Sequence, residues 1–169
     1  MRHSLQSCRL LPFEPAWAEL VVSWVQDARE AYWLAPLTPP PLTAAEVLSW
    51  HKPDHNPYAL VLPHSVQPIG YGEVNRLDGR NREYWLGHLI VDPRRRGRGY
   101  GAQLTRLLLR EAFEERGARR VTLVVFPENE AARACYRAAG MREDGYEWHT
   151  FPAYGKREGL VRFAATRWP

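Results

Sequence analysis

Leu89-Ile90-Val91-Asp92-Pro93-Arg94-Arg95-Arg96-Gly97-Arg98-Gly99-Tyr100-Gly101-Ala102-Gln103-Leu104 runs from an apolar strand through a basic, glycine-rich loop into a helix. That order aims backbone N–H groups at an anion. The first amides of a helix have no internal partners, and the helix dipole is positive there. Gly97, Gly99 and Gly101 let the backbone approach closely, with no Cβ in the way. The arginines bring charge around the anion.

The pattern on either side of this loop sets the fold class. Upstream, Glu83–Val91 reads as a strand, joined by the hairpin turn Asp78-Gly79-Arg80-Asn81 to a strand over Ile69–Leu77. Tyr58–Leu62 precedes it, and His51–Pro57 reads as a turn. Cys8–Phe13 is a first strand. Trp17, Leu20, Val21, Trp24 and Val25 share one helical face over Ala16–Asp27, which Ala28–Leu34 extends or follows as a second helix. Thr43, with Glu46 three residues on, marks the start of a short helix to about Trp50. Downstream, Leu104, Leu107, Leu108 and Ala112 line a helix that ends at Gly117. Val121–Phe126 is a continuous apolar run, expected to be buried on both faces. Glu130–Ala139 is a helix closed by Gly140, and strands are predicted at Tyr146–Phe151 and Gly159–Ala165. The sum is an α/β (α+β) chain with a mixed sheet and helices against it.

The 169 residues fit one domain, 1–169, with 45% hydrophobic residues, seven tryptophans and a formal charge of +4. Much of the charge is local to Arg94, Arg95, Arg96 and Arg98. Two cysteines without CxxC spacing read as reduced thiols in a cytoplasmic protein. Met1–Gln6 shows no apolar run of signal-peptide length, and no stretch has the length of a membrane span. His51, Asp54 and His55 make an incomplete ligand set, so no metal is expected.

Three anion-binding readings compete for the loop. A P-loop requires a Gly-Lys-Ser/Thr that is absent. Gly97-Arg98-Gly99-Tyr100-Gly101-Ala102 matches GxGxxA, but Asp92–Arg96 separates it from its strand, unlike a dinucleotide fingerprint. An arginine arm for nucleic acid lacks interleaved aromatic residues. A further reading is a resemblance. Arg96-Gly97-Arg98-Gly99-Tyr100-Gly101 resembles the [Q/R]xxGx[G/A] cofactor motif of the GNAT superfamily of N-acetyltransferases. Asn129-Glu130-Ala131-Ala132-Arg133-Ala134-Cys135-Tyr136-Arg137-Ala138-Ala139-Gly140-Met141 resembles its second signature. The likeness extends from about Ile69 to Met141.

The resemblance implies a mostly antiparallel sheet with helices on both faces and a splayed central strand pair, here Glu83–Val91 and Val121–Phe126. It implies acetyl-coenzyme A as co-substrate and no metal. The pyrophosphate would lie on the amides of Arg96, Gly97, Arg98, Gly99, Tyr100, Gly101 and Ala102. The pantetheine arm would pair with Leu89, Ile90 and Val91, and Asn129 and Ala132 would meet it from the far side. Acetyl transfer to a primary amine would pass through a tetrahedral intermediate, with Tyr136 as general acid to the leaving thiolate. A base used by some relatives aligns with Trp85 and does not carry over. Glu73, expected at the mouth of the splayed strands with a raised pKa, is the candidate base, with His88 a further one. Trp33, Trp50, Trp85 and Trp148 are candidates for an acceptor pocket or for core. The acceptor stays open among amino acids, polyamines, aminoglycosides and protein amines, as does a homodimer. No membrane or nucleic-acid partner is expected. A non-catalytic acyl-coenzyme-A-binding member of the family is the second reading, and a nucleotide- or nucleic-acid-binding protein the third.

Overall fold

The computed structural model describes residues 7–167; Met1–Gln6, read above for targeting signals, lie outside it. Strands β1 (Arg9–Pro12), β2 (His55–Val61), β3 (Pro68–Arg76), β4 (Glu83–Val91), β5 (Arg120–Val125), β6 (Arg142–Phe151) and β7 (Lys156–Thr166) form one sheet in the order β1-β2-β3-β4-β5-β7-β6. Only β4 and β5 run parallel. Helices α1 (Ala18–Ser23), α2 (Ala28–Leu34) and α3 (Ala44–Ser49) precede β2; α4 (Tyr100–Arg110) and α5 (Glu130–Ala138) flank β5 in sequence.

The helix expected over Ala16–Asp27 ends at Ser23, and Ala28–Leu34 is a second helix, one of the two readings left open for it. Asp27 is extended, and its side chain accepts the N–H of Glu30 at 2.8 Å, so a new helix starts there. A local cap outcompetes continuation of the helix. Thr43 caps α3 as its spacing predicts, accepting the N–H of Glu46. Strand β2 begins earlier than expected, at His55. Its first residues pair with β3 beyond the end of β1, so Pro57 stands where the strand is an edge. Strands β6 and β7 outrun their apolar stretches, because the backbone ladder between them needs no apolar side chain.

Two cores cover the two faces of the sheet. On one, Val21, Trp24, Val47 and Trp50 pack on Tyr71 and Ile90. On the other, Leu104, Leu108 and Tyr136 pack on Val74, Leu86, Val121 and Leu123. The expectation that Val121–Phe126 is buried on both faces is corrected. Val121, Leu123 and Val125 are buried, but Val124 is 38% exposed, because its side of β5 floors an open groove.

Two features place the site. Pairing of β4 with β5 stops at Trp85 and Thr122, and the strands part beyond it. Between Tyr71 and Glu73 the β3–β4 register shifts: Gly87 faces Glu73 and Ile90 faces Tyr71, so His88 and Leu89 together oppose Gly72. His88 takes φ 52°, a conformation uncommon for a side-chain-bearing residue and typical of a bulge that re-aims its neighbours.

Candidate active site

A cleft of about 530 Å³ lies where β4 and β5 part. Its wall on the loop side is Arg96, Gly97, Gly99, Tyr100 and Gly101. Asp92 shapes this turn: it is buried, accepts the N–H of Arg94, and binds its guanidinium at 2.9 Å. Hydrogen bonds and charge from Arg94 hold its carboxyl below the usual carboxylate range against the effect of burial. Gly99 is the residue before the first turn of α4 and takes φ 84°, which favours glycine. Gly101 is glycine for another reason. A Cβ there would lie 2.6 Å from Cys135 Sγ, so its absence lets α4 and α5 meet.

The arginines differ from expectation. Arg96 donates to the carbonyls of Val91 and Trp24 and pairs with Glu30, so it ties the loop to α2. Arg94 is held by Asp92, Arg98 is exposed outside the cleft, and Ala102 is buried away from it. Positive potential at this wall therefore rests on the amides at the start of α4 more than on guanidinium side chains.

Leu89, Ile90 and Val91 line the cleft on the β4 side, where no β5 partner takes their backbone groups. Asn129 and Ala132 line the opposite side, and Asn129 Oδ1 caps α5 by accepting the N–H of Ala132. Tyr136 follows on α5. Its ring packs edge-on to Phe163, and it lines the cleft with no hydrogen bond to its hydroxyl among the described residues. Burial, then the neighbouring Cys135, pushes its phenol well above the ordinary range, so it is a proton donor at neutral pH. Burial also pushes up the Cys135 thiol, so no thiolate nucleophile stands beside it.

Glu73 lies on the same side of β3 as Tyr71, as alternation predicts, but it is fully buried and reaches neither cleft. One oxygen accepts from Tyr71 Oη and pairs with His88 Nδ1, both at 2.7 Å; the other accepts from Asn75 Nδ2 at 2.9 Å. The expected raised pKa is also corrected. Burial alone would lift it, but the charge and hydrogen bond of His88, with the bonds from Asn75 and Tyr71, hold the carboxyl below its usual range. His51 Nε2 extends the network to Tyr71 Oη.

His88 is the residue this network presents. It borders both this cleft and a second groove of about 810 Å³. Trp50 stacks on its ring at 3.8 Å and 5°, and Trp85 stands edge-on at 6.3 Å. With Nδ1 on Glu73, Nε2 is the ring nitrogen left without a partner among the described residues. A sequence signal existed in Gly87-His88-Leu89, but the bulge that turns His88 toward Glu73 is a property of the pairing. Trp33, Trp50 and Trp85 line the second groove, whereas Trp148 is 61% exposed on β6 outside it. His55 Nδ1 bonds the carbonyl of Trp50, and among the described residues no cluster of three or more His, Cys, Asp or Glu side chains suits a metal ion. No described helix is long and apolar enough to cross a membrane.

This arrangement — a splayed strand pair, a glycine-bearing loop at a helix start, and a tyrosine beyond it — coincides with a family model described as Acetyltransferase (GNAT) family over residues 17–141. The chain belongs to that family. Among solved structures, the GNAT fold is matched by an acetyltransferase of Bacillus anthracis at TM-score 0.77 and 18% identity, covering 95% of each chain. A spermidine N-acetyltransferase of Vibrio cholerae with coenzyme A and spermine matches at TM-score 0.76 and 18% identity, again over 95% of each. The aminoglycoside acetyltransferase AAC(6')-Ib, with an aminoglycoside and acetyl-coenzyme A, matches at 0.72 and 22%, over 95% of this chain and 94% of the other. An uncharacterized Mycobacterium leprae protein is 36% identical over 95 residues. That stretch is 56% of this chain but 25% of the relative, so the chain matches about a quarter of the relative's length.

Proposed function

We propose that this GNAT chain is an N-acetyltransferase that moves the acetyl group of acetyl-coenzyme A to an amine, with His88 receiving the amine's proton. The observation that carries this is His88 itself: a left-handed residue in mid-strand, clamped by Glu73 and Trp50, at the junction of the two clefts. A backbone conformation that costs of order 1–3 kcal/mol is kept where the surroundings enforce it. Glu73 is here a positioning residue rather than the base expected from the sequence.

The residues suit the co-substrate. The open edge of β4 has free backbone groups for an extended arm, as in strand addition. The amides from Gly97 to Gly101 suit a pyrophosphate. Acetyl-coenzyme A supplies an acetyl thioester. His88 Nε2 takes one proton from the ammonium, and Glu73 steadies the resulting imidazolium. The neutral nitrogen attacks the thioester carbon, the N–C bond forms and the C–S bond breaks. Backbone N–H groups near Val91 face the developing oxyanion. Tyr136 gives its proton to the leaving sulfur and regains the second proton shed by nitrogen through solvent. Release of the proton from His88 completes the balance.

Coenzyme A release across an amine panel tests the activity, and two variants test the relay. His88→Gln should lower kcat by about 10²–10⁴-fold while acetyl-coenzyme A binding is kept. Glu73→Gln should lower kcat by less than His88→Gln, since it removes the counter-charge of the imidazolium but leaves the base in place. Wild-type turnover by His88→Gln sends the proton elsewhere. Acetyl-coenzyme A binding with no turnover on any amine returns the chain to the non-catalytic reading.

A further inference from the structure

Resting on the acetyltransferase reading, we infer that the acceptor is an amine with one cationic centre on a flat apolar body, and not a polycation. The argument starts at His88. An amine nitrogen presented to Nε2 has its neighbouring carbons beside the two indoles that flank His88, Trp50 on its face and Trp85 at its edge. From there the groove opens over Trp33, Val124 and Leu37, and Leu37 is 71% exposed. Apolar side chains of this size at an open groove suit a ligand that covers them.

Charge points the same way. The groove is lined by the cations Lys52, Arg80, Arg120 and Arg162, but by only three carboxylates, Glu46, Glu83 and Glu147. Two of those are already engaged: Glu83 with Arg80 at 3.5 Å, and Glu147 with Arg162 at 3.5 Å and His149 at 3.3 Å. Asp144, just behind, is shared by Arg120 and Arg162. A ligand with three or four ammonium groups would meet four cations against three carboxylates and find little negative charge to pair with. Like charges at such spacing repel, and each unpaired ammonium loses hydration for no return. One ammonium at His88 instead meets a ring whose other nitrogen is paired with the buried Glu73. The groove therefore differs in chemistry from what spermine or an aminoglycoside requires, although the chain shares its fold with proteins solved with those molecules.

The test compares phenethylamine and tryptamine with spermidine and kanamycin at equal concentration, read as coenzyme A release. The arylalkylamines should exceed the polycations at least about tenfold in kcat/KM. Trp85→Ala should raise KM for the arylalkylamines about tenfold with little change in kcat, the size expected for losing one aromatic contact. Trp148→Ala, outside the groove, should leave both constants unchanged. Spermidine or kanamycin turning over as well as the aryl amines overturns the inference but leaves the acetyltransferase reading standing. If no amine is turned over, the reading fails, and binding still decides the groove's preference: quenching of tryptophan fluorescence, in protein saturated with coenzyme A, should report phenethylamine ahead of spermidine. The reverse order overturns the inference.

Discussion

Tyr136 lines the cleft, and its raised pKa has two consequences. It stays protonated at any working pH, and it is a weak donor toward a thiolate in water, where thiols ionise near pH 8.5. In the proposed transfer the leaving sulfur departs beside it, where burial raises thiols too, as it does for Cys135. Tyr136→Phe should therefore lower kcat by about 10²–10⁴-fold while calorimetry finds acetyl-coenzyme A binding unchanged; an unaltered kcat makes Tyr136 a packing residue against Phe163. Glu73 leads to a prediction about stability. Its native pKa is held below that of a free carboxylate, about 4.3. Its contribution is thus fully present above that pH and is lost as pH falls through the lower native value. Acid titration of the unfolding free energy should show a shallower loss in Glu73→Gln than in wild type; equal slopes would mean that other carboxylates govern the acid limb.

At the scale of elements, the contact between α4 and α5 sets where Tyr136 stands. Gly101 and Cys135 meet with room for no Cβ between them, and Thr105 Oγ1 bonds back to the carbonyl of Gly101 in the same turn. Gly101→Val should push α5 outward, at a cost of about 1–3 kcal/mol for overpacking, and should lower kcat more than cofactor affinity because Tyr136 moves with α5. Denaturant melts and kinetics check both, and Cys135→Ala in the same chain should restore part of each. A stable, active Gly101→Val would mean that the two helices do not need this close approach. The bulge at His88 is the other element-scale device. One extra residue in β4 lets Ile90 face the α1–α3 core while Leu89 packs toward α4 and His88 turns to Glu73.

For the molecule as a whole, acetyl-coenzyme A binding to the folded state alone should stabilise it by about 2.7 kcal/mol at a concentration of 100 Kd, seen as a raised Tm. Gly99→Val should remove that shift, since φ 84° is strained for valine and the amide cradle would distort. A shift that survives in Gly99→Val places the cofactor elsewhere, and a salt-dependent Tm shift with DNA that acetyl-coenzyme A does not compete away would revive the nucleic-acid reading. Such a loop was legible in the sequence because its chemistry is local: glycines, a strand before, a helix after, all within sixteen consecutive residues. The caps at Thr43 and the bounds of β4 were legible for the same reason. What the sequence misjudged were relations between distant residues. The exposure of Val124 depended on the open groove that its side of β5 floors. The expected pKa shift of Glu73 reversed because Tyr71, Asn75 and His88 converge on it, and His88 does so only through a register shift across two strands. Backbone propensity and motif spacing act over a few residues and can be read along the chain. The ionisation of a buried carboxylate and the facing of a bulged histidine are set by which strands lie side by side, and only the folded sheet decides that.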